Sequence, residues 1–416
     1  MAATSMQRHR LRRVEEAFAS LPKRYLGAEE NYRATIQVRL ADLGRTWEVE
    51  VHPAQCKVRT SPCRKPDVVI GTDSGTWLAL REGRLSGLDA FSQRRLWARG
   101  DLDAAVGFEG LFRLPGDRPP LLRMHDVRVR GARISSLTSG TGAEHVILIH
   151  GLGGSKSSFY ETVSALTPEY TVHAIDLPGF GSSSKPALAS YNADFFARHV
   201  LRFMDALAID SAHLVGNSMG GRVSIEVALQ APNRVRTLSL LAPSMAFRHG
   251  REWAPLVRLL RPELALIPHA LSADGVRNRF WNMIARPDRI DPTLGDVASD
   301  EFLRTYRSRT ARVAFYAAAR QIYLEGPDGE DGFWTRLGGL APPALFIWGS
   351  EDRLVPARFS RHVASVLPDA RQVVLAECGH VPQLELPERT HELVRGFITS
   401  VVTAAAADGV QAAGSA

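Results

Sequence analysis

Four short segments of this chain carry residue types that together can transfer an acyl group. Gly216-Asn217-Ser218-Met219-Gly220 fits the pattern G-x-S-x-G, between the apolar run His213-Leu-Val215 and a helical pattern over 222–230. A serine on such a strand-to-helix turn has its hydroxyl projected from the sheet edge by a strained backbone. Gly216 and Gly220 omit side chains that would collide there. His150-Gly151-Leu152-Gly153-Gly154 follows the apolar run Val146-Ile-Leu-Ile149. Acyl transfer builds negative charge on a carbonyl oxygen, and fixed backbone N–H groups stabilise it. The N–H groups of Leu152 and Met219 are the candidate oxyanion donors, and Met219 also opens a helix, whose positive end favours an anion. His150 reads as a brace for its loop rather than a catalytic group. In Trp348-Gly-Ser-Glu-Asp352-Arg-Leu-Val-Pro356, Asp352 follows a strand, where a carboxylate can orient an imidazole; the adjacent Glu351 is its rival. Among 13 histidines, His380 of Glu377-Cys-Gly-His380-Val-Pro382 stands out, because it follows a strand, lies in a glycine-containing loop, and comes after both Ser and Asp. That order is the one expected when the nucleophile sits on such a turn.

The elements that must position these residues are legible as periodicities. After residue 121, short apolar runs alternate with helical patterns such as 195–207 and 223–229. The runs are Val146-Ile-Leu-Ile149, Val172-His-Ala-Ile175, Leu214-Val215, Leu238-Ser-Leu-Leu241, Leu345-Phe-Ile-Trp348 and Val373-Val-Leu375. Continuous apolar strands with crossover helices predict a mostly parallel sheet buried on both faces. Residues 244–341 break the rhythm with helical patterns and predict a helical insertion. The alanine-rich stretch 403–416 is low-complexity and reads as a frayed, flexible tail. Upstream, Tyr32, Ala34, Ile36, Val38 and Leu40 alternate with Arg33, Thr35, Gln37 and Arg39, and Trp47, Val49 and Val51 alternate with Glu48 and Glu50. These are half-buried antiparallel strands with one apolar face. Helical patterns at 74–80 and about 102–112 flank a short strand, Leu96-Trp-Ala98, so the first domain is α+β. Pro115-Gly-Asp-Arg-Pro-Pro120 is a linker that continues neither helix nor central strand.

The chain has 416 residues, of which 45% are apolar and 23% charged, ordinary values for folded domains. No apolar run approaches the roughly 18 residues of a membrane span. The basic start, Met6-Gln-Arg-His-Arg-Leu-Arg-Arg13, lacks the apolar segment of a secretory signal. Cys56, Cys63 and Cys378 form no C-x-x-C pair, which argues against a disulfide framework or a cysteine zinc site and for a reducing cytoplasm. Residues 1–130 hold 23 Lys and Arg against 16 Asp and Glu, which is the whole net charge of +7. Such asymmetry predicts either a solvated basic face or transient contact with an anionic membrane surface; no nucleic acid is expected.

Residues of about 122–402 resemble the α/β-hydrolase superfamily. The segments that carry this are His150-Gly151, Asp176-Leu-Pro-Gly-Phe-Gly181, the Gly216-to-Gly220 elbow, Gly349-Ser-Glu-Asp352 and Gly379-His380, all in the family's order. The resemblance implies Ser218 as nucleophile, His380 as general base and then acid, and Asp352 as the residue holding the imidazole. It also implies a helical cap over 244–341, a structural turn at Asp176 to Gly181, and no metal or organic cofactor. Residues of about 14–114 resemble the sterol carrier protein 2 family. That likeness rests on Thr76-Trp-Leu-Ala-Leu-Arg-Glu-Gly-Arg-Leu-Ser-Gly-Leu-Asp-Ala-Phe, the strand ending Arg-Gly-Asp101, and the amphipathic strands before them. It implies an apolar lipid tunnel, with no single residue carrying the binding.

The expected fold class is therefore an α/β-hydrolase domain with helical cap (122–402), preceded by a smaller α+β sterol carrier protein 2-like domain (1–114) and a linker (115–121). The expected function is a serine hydrolase cleaving a hydrophobic, lipid-like ester. One alternative is a carbon–carbon bond hydrolase of the meta-cleavage-product type, which shares the Gly-Asn-Ser-Met-Gly-Gly elbow. Those relatives have an aromatic directly after the histidine, where this chain has Val381. The other alternative is a non-catalytic lipid-binding protein.

Overall fold

A computed structural model describes residues 2–30, 32–60, 65–246, 257 and 272–414. The chain forms two compact units: 1–125 with 137–140, and 126–136 with 141–416.

The first unit is built on a five-stranded sheet in the order β3-β2-β1-β4-β5. Its strands are β1 (Ala34–Leu40), β2 (Arg45–His52), β3 (Gln55–Arg59), β4 (Val68–Thr72) and β5 (Leu96–Gly100). Strands β1 and β2 pair antiparallel with Ile36 opposite Val49 and Val38 opposite Trp47. Their apolar face is buried, as the period-2 pattern predicts. The opposite face is not uniformly wet: Gln37 and Glu48, facing each other in register, are also buried. Asp73 caps the helix Ser74–Glu82 by accepting from the Thr76 N–H, and Gly83 ends it at φ +69°. The expected helix over 102–112 is instead a helix, Leu102–Gly107, followed by a 3-10 turn, Glu109–Leu111. At 110 only a glycine fits, because a Cβ there would stand 2.7 Å from the Leu122 carbonyl oxygen. The linker turn is closed by the Leu114 N–H donating to the Arg118 carbonyl at 2.9 Å.

The other sheet has eight strands in the order β13-β12-β11-β10-β8-β9-β7-β6. The strands are β6 (Leu122–Val129), β7 (Ala132–Ser139), β8 (His145–Ile149), β9 (Thr171–Ile175), β10 (Ala212–Asn217), β11 (Val235–Leu241), β12 (Ala344–Gly349) and β13 (Arg371–Leu375). All neighbouring pairs from β9 to β13 are parallel. Strand β13 differs from the expectation of full burial: Val374 is half-exposed, because β13 lies at the sheet's edge. Between β11 and β12 the described residues form the helices Ala273–Asn282, Pro292–Tyr306, Arg309–Leu324 and Phe333–Leu337. Leu259 and Leu260, read as part of this insertion, lie outside the described residues. The final helix, Pro387–Gly414, runs on through the stretch expected to be a flexible tail, since alanine has the highest helix propensity. No helix among the described residues is long and apolar enough to cross a membrane.

Candidate active site

Ser218 sits between β10 and the helix Met219–Gln230 at φ 53°, ψ −117°, a conformation that L-residues rarely hold. Its backbone is tied in place: the Ser218 N–H donates to the Leu241 carbonyl, and its carbonyl accepts from the Ser244 N–H, each at 2.9 Å. A Cβ at Gly220 would collide with the Ile149 carbonyl oxygen, and one at Gly216 with that of Gly220. Close approach of β8, β10 and the helix thus demands both glycines.

His380 and Asp352 reach each other from the loops after β13 and β12. Nδ1 of His380 lies 2.8 Å from Oδ2 of Asp352, and both residues are buried. The other oxygen, Oδ1, accepts from the Leu354 and Val355 N–H groups at 2.8 and 2.9 Å, which fixes the carboxylate's orientation. The rival Glu351 is exposed. With Nδ1–H donated to Asp352, Nε2 is the nitrogen left to take a proton.

The glycine-rich loop lies against the serine: a Cβ at Gly151 would stand 3.2 Å from that of Ser218. The loop thus passes the serine at the residue before Leu152, and Met219 holds the first position of the helix, where backbone N–H groups have no intrahelical partner. His150 Nδ1 lies 2.8 Å from the Gly151 carbonyl, and Nε2 accepts from the Leu177 N–H at 3.0 Å. Burial holds its pKa below the usual histidine value, so it stays neutral and links the loop to the Asp176 turn. That turn is itself pinned by a fully buried ion pair, Lys156 Nζ to Asp176 Oδ2 at 2.7 Å.

Three contributors escape sequence reasoning. Asn217 Nδ2 donates to the Leu241 and His380 carbonyls at 3.0 and 3.1 Å, which ties the elbow to the histidine loop. Glu385 accepts N–H bonds from Ala285 (2.7 Å), Gly379 (2.8 Å) and Val381 (3.2 Å), gripping both neighbours of His380. Burial raises its pKa. Arg222, one turn into the elbow helix, gives Nε to Glu325 at 2.8 Å and Nη2 to Glu226 at 2.9 Å. Asn217 stands inside the elbow motif, but Glu385 is one of 44 acids with no local pattern to mark it.

The insertion packs onto this machinery. Rings of Phe302 and Phe315 fill the space a Gly153 side chain would take, each 3.0 Å from such a Cβ. Phe280 and Ile284 cluster with Val381. The cavity beside Gly153, lined by Phe302, Tyr306 and Phe315, is about 20 Å³, room for about one water.

A model of the alpha/beta hydrolase fold family matches residues 144–387, and a model of the SCP-2 sterol transfer family matches residues 15–113. The dihydrolipoyllysine-residue acetyltransferase component of the acetoin cleaving system of Cupriavidus necator is 33% identical over 62% of this chain, which spans only 64% of that protein's length. The 2-hydroxymuconate semialdehyde hydrolase of Pseudomonas sp. (strain CF600) is 28% identical over 70% of this chain and 98% of its own. Among solved structures, a membrane phospholipase A, a bacterial virulence factor, superposes with a TM-score of 0.56 at 28% identity, over 68% of this chain and 87% of that one.

Proposed function

We infer the activity from one premise: the chain belongs to the alpha/beta hydrolase fold family. The reading is a serine hydrolase that cleaves a hydrophobic, lipid-like carboxylic ester. The observation that carries it is the His380–Asp352 contact at 2.8 Å in a unit that also holds Ser218 in a strained turn. Ser218 Oγ attacks the ester carbonyl carbon while His380 Nε2 takes its proton. The oxyanion accepts from the Leu152 and Met219 N–H groups. Collapse of that intermediate breaks the ester C–O bond, and His380 returns the proton to the leaving alcohol. A water, deprotonated by His380, then releases the acid and restores Ser218. Asp352 holds the imidazole in place and stabilises the imidazolium each time it forms. The phospholipase likeness and the SCP-2 match support a lipid-like substrate and a lipid-binding role for the first unit. The N-terminal positive charge supports transient contact with an anionic membrane surface from the cytoplasmic side.

A second reading is favoured by the semialdehyde hydrolase relative: the same triad cleaving a carbon–carbon bond in a vinylogous diketone. Val381, where such enzymes carry an aromatic, favours the ester. One experiment separates them. Aryl esters of increasing acyl length are assayed beside a vinylogous diketone. Each buried methylene contributes about 0.8 kcal/mol, so kcat/KM is expected to rise about fourfold per methylene until the acyl site is full. Rapid diketone cleavage with negligible ester turnover reverses the ranking.

A further inference from the structure

The second unit holds a cavity that the proposed ester chemistry does not use. Its volume is about 140 Å³, against about 20 Å³ beside Gly153. An apolar cavity of about 150 Å³ is enough to take benzene. Three helices wall it. Met219 and Arg222 come from the elbow helix, and Phe196 from the helix Ala193–Ala206. Ala318, Gln321 and Ile322 come from the helix Arg309–Leu324, where their spacing puts them on one face. Ala318 brings only a methyl group to that face, which leaves room. None of Ser218, Leu152, Asp352 and His380 is among the described residues that line the cavity. One wall carries a buried donor with nothing to bind. Arg222 is only 3% exposed, and its Nε and Nη2 are spent on Glu325 and Glu226. Its Nη1 is buried and has no acceptor among the described residues. A buried donor left unmet is costly, and more so on a charged group. Gln321 adds an amide, which can donate or accept.

We propose that this cavity binds a small uncharged carbonyl compound, whose oxygen accepts from Nη1 of Arg222 and whose apolar body, about the size of benzene, lies against Phe196, Met219 and Ile322. Charge selects the neutral molecule. Two carboxylates, Glu325 and Glu226, already meet two guanidiniums, Arg222 and Arg336. Burial disfavours the charge on Arg222, but the two carboxylates outweigh it and raise its pKa above the ordinary arginine value, so Nη1 keeps its hydrogens. A bound carboxylate would be a third anion against two cations, whereas a carbonyl oxygen takes the free hydrogens and adds no charge. The walls belong to both the elbow helix and the insertion, so an occupant adds contacts across the joint that Arg222 and Glu325 make. A molecule that binds only the folded chain stabilises it by mass action. The site stands whether or not the ester reading holds, because Met219 is the one residue it shares with the proposed machinery.

The test is an NMR titration of the full chain, with methyl-labelled methionine, against three probes of similar size: cyclohexanone, toluene and cyclobutanecarboxylate. The Met219 methyl signal, assigned by its loss in Met219→Leu, reports occupancy. Cyclohexanone is expected to shift it saturably and to raise the melting temperature. Toluene, which lacks the acceptor, is expected to bind about tenfold more weakly, and cyclobutanecarboxylate more weakly still. Arg222→Lys keeps a positive charge beside Glu325 and Glu226 but has no third nitrogen. It is expected to bring cyclohexanone down to the level of toluene and to leave toluene unchanged. Ala318→Leu fills the space and is expected to abolish binding of both. If Arg222→Lys does not fold, Ala318→Leu and the ratio of cyclohexanone to toluene in the parent chain decide. Cyclohexanone binding that survives Ala318→Leu places the molecule elsewhere and overturns the proposal. Equal binding of cyclohexanone and toluene, or tighter binding of the carboxylate, also overturns it. No binding of any probe means that the cavity holds solvent only, and overturns it as well.

Discussion

At the scale of the residue, the proposed chemistry has the hydroxyl of Ser218, the imidazole of His380 and the carboxylate of Asp352 act as one unit. Ser218→Ala is then expected to lower ester turnover by about 10³-fold or more with the fold retained. His380→Ala and Asp352→Asn should be comparably severe, and a double variant no worse than the worse single one. Purified Ser218→Ala with the parent's kcat/KM on an aryl ester would remove the assignment and favour a binding role. Glu385 makes a subtler case, because it touches no reacting atom. Its carboxylate grips the N–H groups on both sides of His380. Displacing a catalytic group by about 1 Å costs on the order of 10² in rate. Glu385→Ala is therefore expected to lower kcat about 10- to 100-fold with KM nearly unchanged, while Glu385→Gln recovers part of the loss. A folded Glu385→Ala with full kcat would show that the grip is unnecessary.

At the scale of the element, the elbow helix is bolted to the insertion by charge. Arg222 bridges the helix Met219–Gln230 to Glu325, at the end of the helix Arg309–Leu324, and Arg336 joins through Glu226 at 2.5 Å. Removing one partner of a buried pair costs about 3–5 kcal/mol when the other charge is left unmet; here Arg222 keeps Glu226, so the cost is smaller. Glu325→Leu is thus expected to destabilise by less than that, and Arg222→Met/Glu325→Leu to recover part of the loss. Denaturant melts of the two variants check this; equal loss in both would mean that packing, not charge, carries the joint. The same insertion seats Phe302 and Phe315 on Gly153 and leaves only about 20 Å³ beside the glycine-rich loop. A long acyl chain entering there has to displace those rings.

At the scale of the whole molecule, one buried group in each unit gives an opposite response to pH. In the first, burial pushes Glu109 from an ordinary 4.5 up to about 7. Between those values the folded state holds the proton more tightly, so this contribution is full below 4.5 and is lost as pH rises towards 7. In the second, burial pushes His391 from 6.5 down to about 4. There the unfolded state binds the proton more tightly, so stability is full above 6.5 and is lost as pH falls towards 4. Each shift corresponds to about 3 kcal/mol. Calorimetry between pH 5 and 7 is expected to show two transitions moving in opposite directions. Glu109→Gln should flatten the first and His391→Gln the second. Two transitions that move together would refute this.

The amino-acid sequence alone determined the features that depend on near neighbours. Period-2 alternation in β1 and β2, apolar runs in β8 and β10–β12, and glycines two places either side of Ser218 all follow from steric and burial rules acting over a few residues. Tertiary structure decided what depends on distant segments meeting. Asp352, and not Glu351, faces a histidine 28 residues away, because the turn after β12 buries one carboxylate and leaves the next in water. Arg222 meets Glu325 across 103 residues. Arg81 looks like any other arginine in the sequence, and only the packing of Trp77 and Phe112 around it makes it a buried cation. A side chain's type is local information, but its partner and its dielectric surroundings are set by which elements the sheet order brings together.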